Sequence, residues 1–211
     1  MIESAAYGPG LDALREGAAR WAGLAPAQKA RLLAEVAKAT AGVARPWTAI
    51  AAQAKGIAGT SLEGEETISG PWALLYALNR YIRTLDQIAD TGRPRIPAKR
   101  VRQRPDGRTV VEVFPETLYD ALLLNGIRAE VWMQDGVTPA NLVETLGSWY
   151  AQAHPQPRVA LVLGAGNIAS IPPLDVLYKL VADGAVCALK MNPVNAYLRP
   201  IFDIALAPLI R

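Results

Sequence analysis

The sequence is poor in the residues that do thiol and metal chemistry. Its 211 residues include one cysteine, Cys187, and one histidine, His154. A lone cysteine excludes an intramolecular disulfide framework and suits a reducing compartment. With one His and one Cys, no zinc constellation is available and no metal site is expected. His154 lies in AQAHPQPR, a proline-rich connector. A solvated histidine is expected there, rather than a member of a Ser-His-Asp arrangement. Neither sign of charge dominates. The 22 basic and 19 acidic side chains leave a formal +3, too mild a balance to point to nucleic acid. A long uninterrupted apolar run is also missing. Residues 159–186 are broken by glycines, two prolines, Asp175, Lys179 and Asp183, so no membrane span is expected. The opening MIESAAYGPG has no basic stretch followed by an apolar core. The expectation is a cytoplasmic protein without a secretory leader.

What is abundant is apolar: 51% of the chain, enough for one sizeable core. Residues 1–92 read as a helical layer. QKARLLAEVAKAT places Leu32, Leu33, Val36, Ala37 and Thr40 on one helical face. SGPWALLYALNRYIRTLDQIADTG offers Ser69 as N-cap, Pro71 in the first turn and Gly92 as stop. Its stripe is Trp72, Leu75, Leu78, Ile82, Leu85 and Ala89.

Residues 93–157 change character. RPRIPAKRVRQRPDGR is proline-punctuated and basic, with one acid. Two readings fit it: an anion or nucleic-acid contact, or a solvated loop. No aromatics interleave with the charges, which favours the loop. TVVEVFP and GIRAEVWM read as short strands with ETLYDALLLNG as a helix between them. PANLVETLGSWYAQAH reads as a further helix, with Thr138 as N-cap and Pro139 at N1.

Residues 158–211 carry the chemistry. RVALVLG and AVCALK suit buried parallel strands, and PPLDVLYKLVADG between them suits a helix. Leu174, Leu177, Tyr178 and Val181 would be that helix's apolar stripe, with Gly184 at its end. NPVNAYLRPIFDIALAPLI starts a last helix. Strand, helix, strand, helix is a βαβα unit, half of a doubly wound parallel sheet, so the fold class is α/β and Rossmann-like. Such a half leaves a sheet edge unpaired, and exposed apolar surface is expected at Ile201, Ile204 and Leu209. Cys187, inside AVCALK, is expected to be an inert small hydrophobe.

Between the strands, GAGNIA fits the dinucleotide pattern G-x-G-x-x-A. That pattern works when a helix begins at once and aims its free N–H groups at pyrophosphate. Here Pro172 and Pro173 delay the helix. The second strand ends at Lys190, followed by Met191, Asn192 and Pro193, where a Rossmann site wants a carboxylate for the ribose. An ordinary Rossmann dehydrogenase therefore fits poorly.

The pieces VALVLGAGN, PPLDVLYKLVADG, AVCALKMNP and NAYLRPIFDIALAPLI resemble the N-terminal half of the cofactor domain in the aldehyde dehydrogenase superfamily. In that family a strand runs into a short turn with Pro-Trp-Asn or Gly-Asn, then a proline-started helix, then a strand ending in Lys-Pro or a variant. Gly-Asn looks more like its acyl-CoA and fatty-acyl reductase branch. The resemblance is specific over residues 158–211 and generic before them, where QKARLLAEVAKA and WALLYALNRYIRTL are similar to the family's leading helices. It implies a fold that is an incomplete cofactor domain, and NAD or NADP as cofactor. The implied substrate is a small aldehyde or acyl compound, and a homo-oligomer is implied for the complete protein, with strands near Val110 and Val131 as its arm. Asn167 would hold an oxyanion. Lys190 would bond the adenosine ribose or a 2′-phosphate. Leu163, Gly164, Ala165, Gly166 and Asn192 would line the cofactor trough. The family's nucleophilic cysteine and general-base glutamate have no counterpart here and would lie beyond residue 211. Plainer readings stand beside these: Asn167 capping a turn, Lys190 in solvent, the glycines relieving crowding. A noncatalytic nucleotide-binding or interaction module is the alternative for the whole chain.

Overall fold

A computed structural model describes residues 8–210. The opening MIESAAY, which bears on the leader expectation, lies outside the described residues. Helix α1 (Gly8–Gly23) turns into α2 (Pro26–Ala54), 29 residues long. Pro26 suits the first turn because its missing N–H would be unpaired there anyway. Gln28 Oε1 accepts from the Ala25 N–H at 2.9 Å. The expected face is the buried one: Leu33, Val36 and Thr40 are enclosed, and the stripe continues through Val43, Trp47 and Ala51.

The next helix starts differently from expectation. Short α3 (Glu63–Thr67) runs through a wide π-type turn, Ile68–Trp72, into α4 (Ala73–Thr91). Ser69 is therefore no N-cap. Gly70, at φ −110° and ψ −108°, bends the chain inside that turn. Gly92 ends α4 as expected, in the left-handed region with its N–H on the Ile88 carbonyl. Leu78 and Leu85 of the expected stripe are buried, together with Leu74 and Ile88, whereas Ala89 is exposed. The π turn rotates the face that meets α2.

The basic segment is not all loop. β1 (Val101–Gln103), β2 (Thr109–Phe114) and β3 (Ala129–Trp132) form an antiparallel sheet in that order. α5 (Leu118–Leu123) sits between β2 and β3, with Thr117 and Asp120 closing a capping box. The helix expected over PANLVETLGSWYAQAH shrinks to the single turn α6 (Leu142–Thr145). Thr138 still caps a turn, because its hydroxyl accepts from the Asn141 N–H. Gly147, at φ +60° and packed on Pro94, stops propagation.

The expected strand–helix–strand unit is present. β4 (Arg158–Leu163) and β5 (Ala185–Lys190) pair in parallel, joined by α7 (Ile171–Val181). The fold is thus mixed helix and sheet. α7 is buried on two sides. Leu177 and Val181 join the main core with Leu33, Trp47, Leu78 and Phe202, while Val176 and Leu180 join a smaller core with Trp21 and Val162. Each such side chain contributes roughly 1.5–3 kcal/mol by leaving water. Tyr178, expected in the stripe, is 52% exposed, because it stands on the helix side opposite Val176 and Leu180.

The last helix is broken. A 3₁₀ turn (Pro193–Leu198) leads to α8 (Arg199–Ala205) and α9 (Ala207–Ile210). The expected apolar exposure is found at Ile204 and neighbouring Ile210, whereas Ile201 is buried and Leu209 packs on the core. α8 lies along α2, which covers that face. The exposed apolar row lies instead on β4, at Val159, Leu161 and Leu163. No described helix is long and apolar enough to cross a membrane.

Candidate functional site

The candidate site is the carboxyl end of the parallel pair. Leu163 and Lys190 are register partners at that end, and the Gly164 N–H donates to the Lys190 carbonyl at 2.9 Å. The turn carrying Asn167 leaves from the same end before α7 begins. Leu163, Asn167 and Lys190 are exposed there, so an amide, an ammonium group and an apolar side chain share one rim. Among the described residues Lys190 forms no ion pair with a carboxylate.

The glycines have an internal reason to be glycine. A Cβ on Gly164 would press on the Lys190 carbonyl and the Pro172 ring, each at 3.2 Å. A Cβ on Gly166 would meet the Asn192 amide at 3.0 Å. Close packing of strand end against helix start thus accounts for both without a ligand. Asn192 is likewise engaged: its Oδ1 accepts from the Val194 N–H at 3.0 Å and caps the 3₁₀ turn. Its side chain supports the loop and does not reach outward from the rim.

Sequence reasoning misses Asn195. It is buried, and its Nδ2 donates to the Ala165 carbonyl at 3.2 Å, tying the glycine loop to the 3₁₀ turn. Asn-Pro is a turn-opening dipeptide, so the stretch NPVN carries a detectable signal. Ser170 is also buried and donates its N–H to the Ser69 carbonyl at 3.3 Å, fixing the loop's far end to the π turn. The loop is therefore held at both sides, and Asn167 stands at its exposed crest.

Cys187 faces α7, with Sγ 4.0 Å from the Val176 carbonyl. Burial pushes its thiol up to about 11, outweighing the nearby Lys179 charge, so it is not a thiolate at neutral pH. His154 is exposed in a turn, as expected of a connector. The basic segment turns its charges inward upon its own sheet. Arg102 grips Glu130 at 2.7 and 2.8 Å, Arg108 meets Asp135 at 3.0 Å, and Arg104 meets Asp106 and lies over the Trp132 ring. Arg93 and Arg100 donate to backbone carbonyls. These pairs engage Arg102, Arg104 and Arg108 within a strand-bearing segment, which is neither a plain solvated loop nor a free cationic patch.

Two cavities lie away from the rim. One, of about 280 Å³, is formed by residues 106–108 and 134–137. The other, of about 240 Å³, lies between α4 and α5, where Trp72 stacks on Tyr76 and Arg80 on the opposite side pairs with Asp120. The Tyr76 hydroxyl, the Arg80 guanidinium and both Asp120 oxygens are already engaged with one another or with Glu116 and Thr117, so the cluster fastens the sheet to α4. Comparison with family models, curated proteins and solved structures finds no match for this chain.

Proposed function

We propose that the chain is the N-terminal portion of an NAD(P)-dependent, aldehyde dehydrogenase-like oxidoreductase acting on a small aldehyde or acyl group. One observation carries this reading: an amide side chain, and an ammonium group with no ion-pair partner among the described residues, stand on the same rim of a parallel strand pair. The nicotinamide cofactor would supply hydride transfer. Lys190 would donate to adenosine ribose oxygens or to a 2′-phosphate. The Leu163–Gly166 backbone would border the cofactor, and Asn167 would donate to an oxyanion as it forms. The attacking thiolate would come from a cysteine outside these 211 residues, since Cys187 stays protonated. Cytoplasmic location and homo-oligomeric assembly of the complete protein belong to the same proposal.

The Cys187 observation also favours the second reading, a noncatalytic nucleotide-binding module, in which the same rim binds without reaction. Calorimetric titration of the chain with NAD and NADP tests the shared part. Binding is expected, with Lys190→Ala weakening it about tenfold or more, the worth of a hydrogen bond to a charged group. A larger loss for NADP than for NAD would assign Lys190 to the 2′-phosphate. Equal affinity in wild type and variant removes Lys190 from the site, and absence of binding removes the rim.

A further inference from the structure

Lys29 lies in the first turns of α2, yet its side chain is fully enclosed. Its Nζ stands 3.9 Å from the Trp149 ring centre, 5.1 Å from Trp21 and 5.3 Å from Tyr150. Among the described residues it has no hydrogen-bond partner. A buried ammonium without a carboxylate is costly, and the amino end of a helix is an unfavourable place for positive charge. Only the ring faces oppose these effects, by about 2 kcal/mol when desolvated.

The three rings come from two places. Trp21 is on α1 and donates Nε1–H to the Leu180 carbonyl at 2.9 Å. Tyr150 donates its hydroxyl to the Val181 carbonyl at 2.8 Å. Both thus close the last turn of α7, where carbonyls lack helical partners. Trp149 lies on Gly184, at φ +64°, where a Cβ would overlap the indole. Trp149 and Tyr150 belong to residues 146–157, which contain turns and loop only. This strap closes the corner where α7 meets the amino end of β5, at the other end of the strand from Lys190.

We propose that residues 146–157 are a proton-controlled strap that seats over Lys29 when its amine is neutral and lifts when the amine takes up a proton. With the strap seated, burial lowers the Lys29 pKa from 10.5 to about 8. With the strap lifted, the amine is hydrated and returns to its ordinary value. The seated form therefore binds fewer protons between those values. Seating is favoured as pH rises through that window and is weakest below it. The shift sets a limit of about 300-fold on the change in the seated-to-lifted ratio.

Among the described residues the other charged groups around Lys29 behave differently. Burial drives the Tyr150 phenol far up while the strap is seated. Lifting returns it toward its ordinary value of about 10, so its linkage has the opposite sign and weakens seating only above that pH. On α7, Lys179 pairs with Asp183 at 2.6 Å. On α1, Arg20 pairs with Glu16 at the surface. Arg31 on α2, His154 on the strap and Arg158 at the start of β4 are exposed.

The test uses the full chain labelled with 5-fluorotryptophan. Fluorine NMR is recorded from pH 6 to pH 11, with the Trp149 signal assigned by Trp149→Phe. The Trp149 resonance is expected to titrate between about pH 8 and 10.5, and Lys29→Met is expected to hold it at the high-pH position throughout. A pH-invariant Trp149 signal in the wild type, a midpoint well below the Lys29 window, or the same titration persisting in Lys29→Met overturns the proposal. None of these readouts involves a nucleotide, so the outcome is independent of the rim.

Discussion

Asp120 shows how one buried carboxylate fastens a sheet to a helix. It accepts from the Glu116 and Thr117 N–H groups at 2.9 Å, from the Tyr76 hydroxyl at 3.1 Å and from Arg80 at 2.8 Å. Burial alone would raise its pKa. The Thr117 amide, the Tyr76 hydroxyl and the Arg80 charge together outweigh burial and hold it below 3.8. A depressed folded-state value means stability that is present above 3.8 and lost as pH falls through the folded value. Asp120→Ala is expected to cost about 3 kcal/mol at pH 7, the low end for breaking a buried pair, since Arg80 keeps Glu116 as a partner. Urea unfolding at pH 7 and pH 3 measures it, and the gap between wild type and variant should narrow at the lower pH.

Elements differ in what a proline does to them. Pro172 and Pro173 sit in the first turn of α7, buried, where no N–H is needed, and Pro172 packs over Gly164. Pro46 sits well inside α2 and is exposed. There it removes a ladder hydrogen bond, and as an exposed residue it gains little burial in return. Pro46→Ala is expected to stabilise the chain by up to about 3 kcal/mol, read as a rise of several degrees in the thermal midpoint. A lower midpoint would mean that a bend at Pro46 is needed to seat Trp47 against Phe202, whose rings meet edge to face at 5.1 Å.

For the whole molecule, the feature of most consequence is apolar surface left in water. Leu161 and Leu163 on β4 are 67% and 68% exposed, and Leu118 and Leu122 on α5 are 76% and 73% exposed. Contiguous apolar surface of this kind drives association. Sedimentation velocity is expected to show self-association that rises with concentration and falls in a Val159→Lys, Leu161→Lys double variant. If the variant sediments as the wild type does, the β4 row is not the surface responsible.

Much of the backbone is legible from local pattern. The face of α2, the stop at Gly92, the strands β2 to β5 and the helix between the last two follow from spacing, turn residues and β-branched runs. These effects act within a few residues, so a linear reading captures them. Contacts between distant segments decided the rest. Trp21 reaches Leu180 across 159 positions, and Lys29 is buried only because Trp149 and Tyr150 close over it. Ser69 lost its cap to a π turn, and α8 was folded down onto α2 instead of leaving Ile201 in water. At the rim, the sequence alone supplied Asn167 and Lys190 as candidates. Only the parallel register put them at one end of the sheet and turned Asn192 into a cap, because register and burial depend on where remote surfaces meet.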